Sequence, residues 1–217
     1  MLSYLIERMR AVPAIDDVVI ATTRRPVDDA LADFCREQGV RCYRGATANV
    51  LGRLLHAARA CAADMVVRAN GDNPLLAPEY TAGAIEQCMQ QEVGLVTGKT
   101  VYTGIPMGLA PEVITIEMLE RLSRVARTRD DLEHVTLYAL RNPSEFAWQP
   151  LRYALPDPEA IPASGLKFSV DTAEDFNWIS GVIGGLRAAT GTLNSQTWTV
   201  RDILRVASQT DRALVVQ

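Results

Sequence analysis

The strongest constraint on this chain is an alternation: short runs rich in β-branched residues recur along it, and each is followed by a stretch with helical spacing. VVIATT, Val18 to Thr23, is a continuous apolar run, the pattern of a strand covered on both faces, and it reads as a central parallel strand. Behind it Pro26 suits a first helical turn, Asp28 and Asp29 complement the helix dipole, and Leu31, Phe34 and Cys35 form an apolar stripe that stops at Gly39. VRCYRG, Val40 to Gly45, supplies a second strand, and Val50, Leu51, Leu54, Leu55 and Ala58 repeat at helical spacing after it.

The scheme continues. Met65 to Ala69 reads as a strand that Asn70, Gly71, Asp72, Asn73 and Pro74 break abruptly, Pro78 to Gln90 as helix and Val93 to Thr97 as strand. PEVITI is strand-like; Met118, Leu119, Leu122 and Val125 mark a helix; Thr128 with Asp131 has the spacing of a capping box, and Asn142 and Pro143 end the helix it opens. LKFSV, Leu166 to Val170, alternates apolar and polar residues before Asp171, and a helix runs on past Trp178. Right-handed crossovers between such strands give a three-layer α/β/α domain with a mostly parallel, Rossmann-like sheet. One domain is expected over 1–217, with a helical extension from about 186, where Val200 to Ala207 packs on the flank. Pro156 to Gly165 is the loosest stretch and reads as a loop.

Composition narrows the function classes. With 217 residues and 48% hydrophobic content the chain can bury a sizeable core. A formal net charge of -4 argues against a surface built to neutralise nucleic acid phosphates. Cys35, Cys42, Cys61 and Cys88 form no CxxC pair and have no ligand spacing with His56 and His134, so reduced thiols in a cytoplasmic protein are expected. The longest apolar run falls far short of the ~18 residues of a membrane span.

Two acidic residues stand out, because Asp72 and Asp171 each end a predicted strand on the carboxyl side, where open α/β sheets bind ligands. Two carboxylates on one rim suit Mg²⁺ held together with substrate phosphates, and hence phosphoryl or nucleotidyl transfer. The plainer reading is an Asx turn at Asp72; Asp175, three residues after Thr172, reads as part of a capping box. Arg53 shares the polar side of its helix with Asn49 and His56 and can equally be a solvated group. Arg68 ends an apolar strand and needs an anionic partner, either a phosphate or Glu112. His134, early in a helix, is as readily an exposed histidine as a functional one, and His56 reads as surface.

In order, VVIATT, CYRG with VLGRLLHAA, VVRANGDNPLL, IPMGLAPEV, EHVTLYAL and LKFSVDTAEDF resemble the cytidylyltransferase family that includes KDO and acylneuraminate activating enzymes, and most of all its spore coat polysaccharide branch. The likeness runs from Met1 to about Gly185. It implies transfer of CMP from CTP to a small acidic sugar or similar acceptor with release of pyrophosphate. It also implies Asp72 and Asp171 as catalytic Mg²⁺ ligands, Arg53 and Arg68 near the nucleotide, Glu112 and His134 facing the acceptor, and a homodimer. Family members open with a strand and a glycine- and arginine-containing phosphate loop ahead of the helix matching LSYLIERM, where this sequence starts. With that strand missing, those matching VVIATT and MVVRANGD are expected either to pair directly or to leave a slot filled by another chain, and the chain to turn over CTP poorly or not at all. A glycosyltransferase-like protein acting on nucleotide sugars and a nonenzymatic binding or partner subunit are the alternatives; no DxD ends a strand, which disfavours the first.

Overall fold

Helices and strands alternate in a computed structural model that describes residues 1–153 and 165–210. The expected loop at 156–164 lies outside the described residues. In chain order the elements are α1 (Leu2–Arg10), β1 (Val19–Thr23), α2 (Asp29–Glu37), β2 (Arg41–Gly45), α3 (Val50–Ala60), β3 (Met65–Arg68) and α4 (Pro78–Gln90). They continue with β4 (Leu95–Thr97), α5 (Thr100–Thr103), β5 (Glu112–Thr115), α6 (Ile116–Val125), α7 (Arg129–Glu133), α8 (Leu137–Arg141), β6 (Trp148–Pro150), α9 (Ala173–Thr190) and α10 (Val200–Gln209).

Local chemistry sets many of these boundaries. Pro78 opens α4 in the first helical turn, and Asn49 caps α3 by accepting from the Gly52 amide at 2.7 Å. The capping boxes expected at Thr128 with Asp131 and at Thr172 with Asp175 both form, and Thr199 with Asp202 makes a third. LKFSV differs from expectation: it joins no ladder beyond a single bridge from Lys167 to Met107. Leu166, Phe168 and Val170, the apolar half of its alternation, pack on the main core, and Ser169 is buried beside them.

The strands form not one sheet but two. β1 and β2 pair in parallel; β3, β5, β4 and β6 form a mixed sheet in that order, in which β5 is antiparallel to both neighbours and β4 is parallel to β6. Among the described residues β1, read from its apolar run as central, pairs only with β2, and its other edge has no strand partner. Burial records the break: β4 is wholly buried and β5 nearly so, whereas every residue of β3 and most of β1 are only half-buried.

Between β1 and β3 lies an apolar cleft of about 1080 Å³. Val67 packs with Leu5 and Met9 of α1, whereas Val66 packs with Leu51 and Leu55 of α3. Neighbouring strand residues point to opposite faces, so the two helices cover the cleft from opposite sides. The two strands do not pair directly, and a slot separates them.

The main core joins α4, α9 and α10 to the four-stranded sheet, with Tyr80, Val96, Val113, Ile179, Leu186 and Ile203 among its buried members. Arg8 of α1 is fully buried as a clamp: it donates to the carbonyls of Leu76 at 2.8 Å and Trp198 at 3.1 Å, and also to that of Ser195. Burial lowers its pKa to about 10 despite the nearby Glu79 carboxylate.

Candidate active site

The carboxyl end of β3 delivers the turn that carries Asp72, and the chain after LKFSV delivers Asp171. They meet because the Val170 amide donates to the Asp72 carbonyl at 2.9 Å, stitching the two segments together. The IPMG segment holds the second of them in place: the Phe168 amide donates to the Met107 carbonyl at 2.7 Å, and Gly108 (φ +92°) lies so close that a Cβ there would stand 2.6 Å from the Phe168 carbonyl carbon. Only glycine combines that conformation with that approach.

Asp72 and Asp171 share this rim, and Asp72 feels the charge of Asp171. Burial, with a smaller push from Asp171, raises the Asp72 pKa, and one Asp72 carboxylate oxygen, Oδ1, is buried without a hydrogen-bond partner. Asp171 sits lower than an ordinary carboxylate, because Lys167 Nζ bonds it at 2.5 Å and the Ser169 hydroxyl donates to it at 3.1 Å. The same Lys167 reaches Asp175 at 2.9 Å and holds it at about 2. Asp175 also closes the α9 capping box, in keeping with its structural reading.

Hard carboxylate oxygens, one of them unpartnered, are the donors Mg²⁺ takes, so Asp72 and Asp171 are the residues here that fit such an ion. Among the described residues, no three His, Cys, Asp or Glu side chains cluster closely enough to hold a metal by themselves. Any divalent ion would need substrate oxygens to complete its shell.

Arg68 has an anionic partner within the protein. Its Nη1 bonds Glu112 Oε2 at 2.7 Å, directly across the β3–β5 ladder. Glu112 is buried, and its other oxygen accepts from the Thr136 hydroxyl at 2.8 Å and the Thr97 hydroxyl at 3.1 Å, with Lys99 Nζ 3.7 Å away. His134 is exposed at the end of α7, two residues before Thr136. Arg53 lines the cleft and donates to the carbonyl of Ala46 at 2.6 Å, and its pKa is lowered by burial. His56 is exposed.

Sequence reasoning passed over Lys167 and Lys99. Lys167 lies inside a motif already singled out, four residues before Asp171, and Lys99 follows the end of β4 by two residues. A lysine just off a strand end beside a carboxylate was the available signal.

Comparison with known proteins bears on what this rim belongs to. The chain is 32% identical over 175 residues to an uncharacterised protein of Methanocaldococcus jannaschii, covering 81% of this chain and 69% of that one. It is 31% identical over 168 residues to the spore coat polysaccharide biosynthesis protein SpsF of Bacillus subtilis, covering 77% and 67%. In fold it resembles a cytidylyltransferase from Leptospira borgpetersenii, with a TM-score of 0.82 at 23% identity over 96% of this chain and 82% of that one. A CMP:2-keto-3-deoxy-manno-octonic acid synthetase complexed with CTP resembles it less closely, with a TM-score of 0.54 at 14% identity over 88% and 87%. Residues 1–182 match the family described as Cytidylyltransferase, and the chain belongs to that family.

Proposed function

We propose that this protein binds CTP at the Asp72–Asp171 rim and transfers CMP to a small acidic sugar or related acceptor. The observation that carries the reading is the pair itself: two carboxylates brought together at one rim, one with a buried, unpartnered oxygen. Family membership and the fold shared with a synthetase complexed with CTP point the same way.

In this reaction an acceptor oxygen attacks the α-phosphorus, a new P–O bond forms, and the bond to the bridging oxygen breaks as pyrophosphate leaves. Asp72 and Asp171 would hold Mg²⁺, which when bound supplies neutralisation of phosphate charge. Arg68 and Arg53 would turn cationic groups toward the nucleotide, while Glu112 and His134 would lie toward the acceptor. The work left to the side chains is alignment, with no covalent enzyme intermediate. A cytoplasmic homodimer belongs to the same proposal.

Turnover by residues 1–217 alone is expected to be slow. The cations at the rim are already engaged, Arg68 by Glu112, Lys167 by two aspartates and Arg53 by a loop carbonyl. A triphosphate must compete with each of these partners, and misplacing reacting atoms by ~1 Å can cost ~100-fold in rate. The test is pyrophosphate release from CTP with Mg²⁺ and a panel of acidic sugars, for the protein and its Asp171→Asn variant. Slow release that needs an acidic sugar and is lost in the variant supports the reading. Release indifferent to the sugar or the substitution, or no release together with no binding of CTP, contradicts it.

A further inference from the structure

Lys99 differs from the cations beside Asp72 and Asp171. Arg68, Lys167 and Arg53 are each held by a partner, whereas Lys99 Nζ donates no hydrogen bond among the described residues. The nearest carboxylate oxygen, Glu112 Oε1, is 3.7 Å away and already accepts from the Thr136 and Thr97 hydroxyls. Two donors fill the lone pairs of that oxygen, and Arg68 neutralises the carboxylate through Oε2 at 2.7 Å. One buried negative charge therefore faces two cations, and the surplus positive charge rests on Lys99, whose side chain is 36% exposed. Its backbone is fixed: the amide donates to the Thr97 hydroxyl at 3.3 Å, and the carbonyl accepts from the Thr103 hydroxyl at 3.1 Å.

The strand register places this cation across the site from the aspartates. Arg68 of β3 and Thr97 of β4 both pair with Glu112 of β5, so β3 and β4 end in one row, two strand spacings or about 10 Å apart. Asp72 follows the first of these ends closely and Lys99 the second. The segment Ile105 to Pro111 crosses between them. It meets the Asp171 side through the Met107 carbonyl and the Lys99 side through the Pro111 carbonyl, which accepts from the Gly98 amide at 2.9 Å. That segment, IPMGLAP, carries no charge. The rim thus has a pair of carboxylates at one end, an ammonium with donors to spare at the other and a neutral stretch between.

We propose that Lys99 holds the acid group of the acceptor, and that this acceptor is a sugar whose acid group lies across the ring from its attacking oxygen, as in a hexuronic acid. The inference rests on the CMP-transfer reading and narrows its acceptor. A phosphorus held at Asp72 and Asp171 needs the attacking oxygen at that end of the rim. An acid group on the same carbon as that oxygen stays at that end too, out of reach of Lys99. A hexuronic acid carries its reactive hydroxyl on the first carbon and its carboxylate on the sixth, so its ring spans the neutral stretch and its carboxylate meets Lys99. Nζ then donates to a carboxylate oxygen, a charge-assisted bond that a neutral sugar cannot accept.

Calorimetric titration of the parent, Lys99→Gln and Lys99→Arg, each with and without CTP and Mg²⁺, is the test. The ligands are glucuronic and galacturonic acids, the matching neutral hexoses, and a 2-keto-3-deoxy sugar acid, whose acid group sits on the carbon that bears the attacking oxygen. The proposal predicts that the parent binds a hexuronic acid at least ~10-fold tighter than its neutral hexose or the 2-keto acid. Lys99→Gln should lose that margin and Lys99→Arg should keep it, with thermal unfolding showing both variants folded. Equal binding of acid and neutral hexose, a margin that survives in Lys99→Gln, or tighter binding of the 2-keto acid overturns the proposal. So does an absence of hexuronic acid binding. If the parent then still binds CTP, only the acceptor assignment falls; if it does not, the CMP-transfer reading falls with it.

Discussion

Arg68 and Glu112 stand opposite each other on β3 and β5 and close an ion pair of 2.7 Å just below the rim that carries Asp72. Glu112 is buried and joins four partners from three segments, so it organises the floor of the site whatever else it does there. Replacing it by Ala leaves Arg68 and two buried hydroxyls without their acceptor and is expected to cost about 3 kcal/mol. Chemical denaturation of Glu112→Ala, Arg68→Ala and the double variant checks this. The double variant should lose clearly less than the sum of the single losses, because removing one partner strands the other.

Gly108 makes a sharper structural demand. An alanine there must adopt an unfavourable φ while pushing aside the Phe168 backbone, which has no flexible end to move. Gly108→Ala is expected to lower stability by about 2–3 kcal/mol and, by displacing the segment before Asp171, to weaken CTP binding as well. Thermal unfolding and nucleotide titration of the same sample measure both.

Burial pushes the thiols of Cys35 and Cys88 up to about 11. A raised thiol pKa favours the neutral form in the folded state. The stability these groups contribute is therefore intact below the ordinary thiol value near 9.0 and is lost as pH rises toward about 11. At pH 8 iodoacetamide should modify the half-buried Cys42 and Cys61 well before Cys35 and Cys88, as read by mass spectrometry of digests.

The sequence made the succession of elements legible because hydrophobic period and capping chemistry are local. α4 runs from Pro78 to Gln90 as its apolar spacing implies, and the Thr128 and Thr172 boxes form from residues three apart. Sheet order is not local. The apolar run of β1 implies cover on both faces, which α1 and other packing supply, but it cannot tell whether a strand lies beside it. β6 is three residues long and sits below the length at which alternation is detectable. At the site, Asp72 and Asp171 were legible as strand-end acids, whereas the pairing of Arg68 with Glu112 depends on a register across 44 residues of chain. The grip of Lys167 on two aspartates was hidden by reading Asp171 and Asp175 for roles of their own.

The central claim is that Asp72 serves CTP rather than the fold. Its pKa is raised by burial and by Asp171, so the folded protein holds the charged form at a cost, and the neutral Asp72→Asn variant should melt no lower than the parent at pH 7. Calorimetric titration with CTP and Mg²⁺ of both proteins is the direct test. The account predicts measurable binding to the parent and at least ~10-fold weaker binding to Asp72→Asn, a loss of ~1.4 kcal/mol or more. Equal affinity in the two proteins, or no binding by the parent at millimolar CTP, would contradict it.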